Sequence, residues 1–199
     1  MILNHLWGIY VHPKEEWQAI DDRHESYFYA LSHIALIALI PAVVGYYSAA
    51  HLGWSVGAGD VIKLTQQSAL TMAICMYFGL IAGVVALAIL AHELAKAFDN
   101  HPTYTQSLEL AAYTATPLFM VGFAALYPVL WFVMLVGLVG LSYSVYLLYS
   151  GVPIMMHIPE EKGFVYSSSV VTCGLVLLVI LMTGSVILWG NGMGPVYTY

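Results

Sequence analysis

The feature that most constrains this chain is a stretch of 50 residues, 110–159, that contains no Asp, Glu, Lys or Arg. A membrane-spanning helix needs about 20 apolar residues at a rise of about 1.5 Å each. The stretch is therefore too long for one span, and it fits two spans joined by a tight turn. Three further stretches also lack these charged residues, namely 26–59, 64–92 and 163–199. The sequence thus predicts a polytopic membrane protein.

The composition supports the same conclusion. Hydrophobic residues make up 61% of the chain and charged residues only 8%, whereas soluble domains are roughly 25% charged. The formal net charge of −6 argues against nucleic acid and against an anionic lipid surface as partners. The expected partners are membrane lipids, another membrane protein or a second copy of this chain. Cys75 and Cys173 lie in apolar runs and are predicted to be reduced packing residues.

We predict an all-α membrane protein with a bundle of five transmembrane helices. The charge-free runs place these helices at roughly 30–50, 68–91, 109–127, 129–150 and 164–189. Pro128 marks the turn between the third and fourth helices, because proline cannot continue the backbone hydrogen bonds. The chain then divides into an N-terminal segment (1–29) that is cytoplasmic or interfacial, a five-helix domain (30–189) and a tail (190–199).

The few basic residues predict the orientation of the bundle. With a cytoplasmic N-terminus, four of the five basic residues fall on the inner side and only Lys63 falls outside, as the positive-inside rule favours. The four are Lys14, Arg23, Lys96 and Lys162. Every acidic residue except Asp60 is then cytoplasmic as well. The tail is predicted to be periplasmic, and its residues 190–195 are rich enough in glycine to be flexible.

The first 25 residues are too polar for a span and have amphipathic character instead. Pro13 can open a short helix that carries Trp17 and Ile20 on one side. Upstream apolar residues also recur at helical spacing, namely Ile2, Leu3, Leu6, Trp7 and Tyr10. The segment is either a cytoplasmic docking element or an interfacial helix that anchors the first span. The spacing alone favours the anchor.

Three segments together resemble a known family. Residues 12–20 (HPKEEWQAI) precede the first span, residues 104–117 (YTQSLELAAYTATP) open the third, and residues 146–162 connect the fourth to the fifth. In this order they resemble the bacterial branch of the Yip family, whose members are inner-membrane proteins. The resemblance implies five transmembrane helices, a cytoplasmic N-terminus and no settled activity. Eukaryotic relatives interact with Rab GTPases in vesicle traffic, a role that bacteria, which lack such traffic, are not expected to share.

Ionisable residues gather at the predicted inner ends of the helices. The candidate metal ligands are His92, Glu93, Glu109 and His157, because imidazole and carboxylate groups suit zinc or another divalent cation. Histidine also titrates near neutral pH, so proton coupling is a second interpretation. The third is a solvated rim, which the sequence favours because acidic residues prefer helix N-termini and no H-E-x-x-H motif follows His92. We further expect His92, Glu93 and Glu109 to approach one another across a loop of about 15 residues.

Prolines and glycines within the spans are the structural candidates. Pro41 and Pro117 each remove one backbone donor, which predicts a static kink or, as the alternative, a hinge. Gly79 and Gly83 form a GxxxG motif in the second span. Such a motif permits close helix approach, and we expect the contact to lie within the bundle rather than between two copies.

Two function classes follow. The first is a non-enzymatic inner-membrane protein that organises the membrane or binds lipid or protein. The alternative is a small transporter or channel for a cation or a proton that uses the inner His and Glu residues. An intramembrane enzyme is disfavoured, since the sequence has no G-x-S-x-G motif, no H-E-x-x-H motif and no paired intramembrane aspartates.

Overall fold

A computed structural model describes residues 8–23, 26–55 and 61–198 of the chain. Its α-helices are α1 (Pro13–Arg23), α2 (Tyr27–Tyr47), α3 (Gln66–Lys96), α4 (Tyr104–Met120), α5 (Leu130–Met155) and α6 (Glu160–Leu188). Three short helical segments extend them: Ser48–Leu52 after α2, Val121–Leu126 after α4 and Trp189–Met193 after α6. Residues 8–11 are also helical. The two short strands are β1 (Lys63–Leu64) and β2 (Tyr197–Thr198).

Within these residues, five helices are long and apolar enough to cross a membrane. They are Tyr27–Leu52, Gln66–Lys96, Tyr104–Leu126, Leu130–Met155 and Glu160–Gly192. The shortest has 23 residues and would extend about 35 Å, against a hydrocarbon core of about 30 Å. The predicted five-helix architecture is confirmed in helix number, length and composition.

The helix ends differ from the predicted ones because of local capping. α4 begins at Tyr104 rather than at 109, since Thr103 and Gln106 form a capping box in which each side chain bonds the other's backbone N–H. α3 continues to Lys96 and ends in a Schellman motif. In that motif Asp99 has a φ of 56°, and its N–H and that of Asn100 bond the last turn. The loop from α3 to α4 is therefore residues 97–103, half the predicted length.

The centre of the bundle is α4, which packs against α2, α3 and α5. Its candidate span is the most buried of the five at 56% and also the least apolar, whereas that of α6 is 6% buried and the most apolar. Such an arrangement suits a bilayer, because outward-facing side chains contact lipid chains while polar side chains find partners inside the bundle. α6 packs mainly on α3 and α5.

Pro41 and Pro117 lie where helices approach closely. A Cβ built on Gly122 would lie 2.7 Å from the Cα of Pro41, and one built on Gly140 would clash with Val121 and lie 3.4 Å from the carbonyl oxygen of Pro117. Only glycine fits such contacts. α2 passes through Pro41 as one helix, whereas α4 changes to a 3₁₀ helix four residues after Pro117.

The remaining structural candidates are Pro128 at the turn and the glycines Gly79 and Gly83 of α3. Pro128 lies between the 3₁₀ segment and α5, as predicted. A Cβ built on Gly83 would lie 3.3 Å from Cδ1 of Leu181 in α6, whereas one built on Gly79 would meet nothing within 4 Å. Gly83 therefore lies close to α6 within the bundle, and a close helix approach at Gly79 stays a prediction.

The carboxyl end of the bundle, defined here by residues 53–55, 61–65, 127–129 and 189–198, is held together by backbone pairing. β1 and β2 pair antiparallel, with Lys63 opposite Thr198. The N–H of Thr65 donates to the carbonyl of Val196 at 2.9 Å. Ser55 and Val129 form an isolated parallel β-bridge. The flexibility expected for residues 190–195 stays a prediction. Trp189–Met193 extend the last helix, and Tyr197 and Thr198, which follow the glycine-rich stretch, form a strand.

The opposite, amino end of the bundle consists of residues 8–23 and the loops 97–103 and 156–159. Asn100 donates a side-chain hydrogen bond to the carbonyl of Met156 and so joins the two loops. Apart from Lys63, every Asp, Glu, Lys and Arg that the structure describes lies at this end or within two turns of it. Asp60 and Glu25 lie outside the described residues.

Candidate functional site

The N-terminal helix α1 packs onto the amino end of the bundle. Trp17 and Ile20 are fully buried, as is Ile9 just before the helix. Trp17 lies over Gly151 of α5, where a Cβ would come within 2.6 Å of the indole ring. The apolar side of α1 thus contacts protein rather than a bilayer, which disfavours the interfacial anchor. Ile2, Leu3, Leu6 and Trp7 lie outside the described residues.

A second contact fixes the chain just before α1. The Tyr143 hydroxyl donates to the Ile9 carbonyl at 2.9 Å, and the Tyr143 ring stacks on Tyr10 with 5.4 Å between centroids. Burial, with Tyr143 beside it, raises the pKa of Tyr10 to about 12.

Beneath Trp17 lies a buried polar cluster, which we define as His33 of α2 and Glu109, Tyr113 and Thr116 of α4. All four are at most 2% exposed. The three α4 residues share one face of the helix because they are spaced by four and three residues. The Tyr113 ring contacts His33 at 4.6 Å and Trp17 edge-on at 6.2 Å between centroids. The cluster therefore links α1, α4 and α2.

The hydrogen bonds of Thr116 fix one nitrogen of His33. The Thr116 hydroxyl lies 3.0 Å from the Ala112 carbonyl and 3.0 Å from Nε2 of His33. The tautomer in which Nε2 carries the proton satisfies both contacts, because the hydroxyl then donates to Ala112 and accepts from Nε2. An imidazole held in this way within a candidate span, on the same helix pair as a carboxyl group and a phenol, can store or pass a proton.

The four predicted metal ligands take separate partners. Glu93 forms an exposed ion pair with Lys96 at 2.7 Å, and His157 lies 3.1 Å from Asp21 of α1. The His92 ring packs edge-on against Tyr104 with 6.0 Å between centroids. Glu109 belongs to the buried polar cluster. Among the described residues, no three His, Cys, Asp or Glu side chains form a group that could hold a metal ion, so zinc binding stays a prediction of the sequence.

Asp21 was not among the predicted residues, yet it connects three elements. Its carboxylate accepts from the Gln106 amide at 3.3 Å and lies beside His157 in the loop after α5. His33 was also missed. An imidazole within an otherwise apolar run was the available signal. For Asp21 the sequence offered none, because its partners come from distant segments.

Comparisons with known proteins agree with this architecture. A family model described as the Yip1 domain matches residues 7–181. Inner membrane protein YohC from Escherichia coli strain K12 and its counterpart from strain CFT073 (O6:H1) are each 36% identical over 191 residues. The alignment covers 96% of this chain and 98% of each relative. No solved structure matches the chain significantly. The resemblance in the sequence segments is thereby confirmed, and the chain belongs to the Yip family.

Proposed function

We propose that this chain is a multi-pass protein of a bacterial inner membrane that acts without enzymatic chemistry, by binding lipid or protein at the amino end of its bundle. One observation carries the proposal. Nearly all described charged side chains and the docked helix α1 occur at that one end, while Lys63 is the only described charged residue at the other. The name of the E. coli relative supports the inner-membrane location, and the positive-inside rule supports a cytoplasmic amino end.

The shape of α1 suits a binding surface. Its inner side is buried through Trp17 and Ile20, while Lys14, Glu15 and Gln18 are exposed. A polar surface held on a fixed helix binds a partner with less loss of conformational entropy than a free segment does. The amino end therefore offers a preformed surface that the carboxyl end does not match in charge.

Site-specific photo-crosslinking in cells tests the proposal. A benzophenone amino acid at Glu15 should give reproducible lipid or protein adducts. The matched control is Val61, which is 56% exposed at the carboxyl end and should give few. Adducts that form equally at both positions, or only at Val61, would contradict a binding role of the amino end.

A small transporter or channel for a cation or a proton is the second candidate, and the buried polar cluster favours it. His33 and Glu109 are ionisable residues buried within candidate spans, and such residues commonly serve ion pathways. Liposomes that contain the purified protein and a pH-sensitive dye test it. Proton flux above that of empty liposomes, lost in His33→Gln, would support this candidate, and flux equal to that of empty liposomes would eliminate its proton form.

A further inference from the structure

A crevice of about 400 Å³ opens at the amino end between α1, the last turns of α5 and the start of α6. Its volume lies within the range of small-molecule sites. Lys14 and Gln18 line it from α1, Tyr149 and Ser150 from α5, and Glu160 and Phe164 from α6. None of the residues assigned to the buried polar cluster or to the predicted metal site lines it.

The walls of the crevice are held by contacts around it. Trp17 anchors α1 on Gly151, and Lys14 and Gln18 lie on the neighbouring positions of the same helix face. The Tyr149 hydroxyl hydrogen-bonds the Ser168 hydroxyl at 2.7 Å, and the Tyr149 ring contacts Phe164 at 5.5 Å between centroids. The cavity is therefore built by three fixed helices rather than by a loop.

Its two charges have opposite sign. Lys14 and Glu160 are the only charged residues in the lining, both are exposed, and neither forms an ion pair with another described residue. An ammonium, the side-chain amide of Gln18, which carries hydrogen-bond donors, and a separate carboxylate match a ligand with one anionic and one cationic group. The hydroxyl of Ser150 donates its proton to the Leu147 carbonyl at 3.0 Å and can only accept from a ligand. A phosphate beside Lys14 and an amine beside Glu160 would satisfy both charges.

The other side of the crevice is apolar and lies beside exposed apolar side chains of α6. Phe164 is 66% exposed and Val165 beside it is 54% exposed, at the start of the helix whose span is the least buried of the five. A ligand with a zwitterionic head and hydrocarbon chains could place its head in the crevice and its chains along α6. A free phosphate ester would leave this apolar side without a partner.

We propose that the crevice binds the head of an aminophospholipid of the phosphatidylethanolamine type, a site that deepens the proposed function and rests on it only in placing binding at the amino end. Lys14 and Gln18 hold the phosphate, and Glu160 accepts hydrogen bonds from the primary amine. A choline head has no N–H to donate to Glu160. A phosphatidylglycerol head has no cation to pair with it.

Native mass spectrometry of the detergent-purified protein tests the site. The protein is incubated with equal amounts of dioleoyl phosphatidylethanolamine, phosphatidylcholine and phosphatidylglycerol, and the retained lipids are counted. The wild type should retain the ethanolamine lipid severalfold over each of the others. Lys14→Gln should lower that retention about two- to fivefold, the effect of losing one exposed ion pair. Glu160→Gln should lower it similarly without lowering retention of phosphatidylglycerol.

Neighbouring residues provide matched controls. Lys162 and Glu161 are exposed in the first turn of α6 and do not line the crevice, so Lys162→Gln and Glu161→Gln should retain lipid like the wild type. Equal retention of the three lipids by the wild type, or equal losses in crevice and control variants, would overturn the site. Displacement of the lipid by soluble glycerophosphoethanolamine at equal concentration would also overturn it. None of these results would change the photo-crosslinking result expected at Glu15. Failure of the lipid site is therefore distinguishable from failure of the proposed function.

Discussion

Replacing Gly151 with alanine should loosen the docking of α1. The added Cβ would lie 2.6 Å and 2.9 Å from two atoms of the Trp17 ring and 3.0 Å from Leu110. These atoms belong to fully buried side chains, so the rigid indole must move. Overpacking of this kind costs about 1–3 kcal/mol. Because about 1.4 kcal/mol corresponds to a factor of ten, the population of undocked α1 should rise about 5- to 150-fold.

Hydrogen exchange of the peptide that covers residues 13–23 measures this change, since local opening exposes its amides. Gly137→Ala is the matched control, because Gly137 lies in the same helix and a Cβ there would meet nothing within 4 Å. Exchange in α1 should accelerate in Gly151→Ala and stay at the wild-type rate in Gly137→Ala. Equal rates in the two variants would refute the argument that Trp17 on Gly151 holds α1 in place.

Three further predictions concern the bundle. Thr116→Val leaves buried Nε2 of His33 without its hydrogen-bond partner and should lower the free energy of unfolding by about 1–3 kcal/mol. Thr116→Ser keeps the hydroxyl and should cost at most about 1 kcal/mol for the lost methyl group. Denaturation in detergent should show the larger loss for Thr116→Val, and the reverse order would contradict the hydrogen bond between Thr116 and His33. Pro117→Ala restores a backbone donor but should disturb the contact of Pro117 with Gly140 and so lower the melting temperature, while an unchanged value would make the kink incidental. Zinc should slow hydrogen exchange in residues 92–109 of the wild type but not of His92→Gln, and no zinc effect in either protein would leave the solvated rim as the account of these residues.

The number of spans was predictable because it depends on local composition. A long stretch without charged residues can form a helix that crosses the hydrocarbon core of a bilayer. The stretches in this chain predicted five such helices. Helix ends were less accurate, since the capping box of Thr103 and Gln106 moved the start of α4 by five residues. The pairing of Tyr197–Thr198 with Lys63–Leu64 was not predicted, because more than 100 residues of chain separate the two strands.

The site was only partly predictable, because the position of a charged residue along the chain does not show whether its side chain points into the bundle or out of it. The structure places His92, Glu93, Glu109 and His157 near one end of the bundle, but the sequence does not give the direction of each side chain. It could not indicate that Glu93 turns outward to Lys96 while Glu109 turns inward. The bond of His33 to Thr116 joins residues 83 positions apart, and the burial of Trp17 depends on Gly151. Such pairings follow from helix packing, which a single sequence does not reveal.

The central claim is a five-span protein whose charged amino end faces the cytoplasm, and reporter fusions after Tyr199 test it most directly. Alkaline phosphatase is active only in the periplasm, whereas a fused green fluorescent protein becomes fluorescent only in the cytoplasm. Fusions after His101, in the loop between α3 and α4, serve as the opposite control. The account predicts active phosphatase and no fluorescence after Tyr199, with the reverse after His101. A fluorescent and phosphatase-inactive fusion after Tyr199 would contradict it.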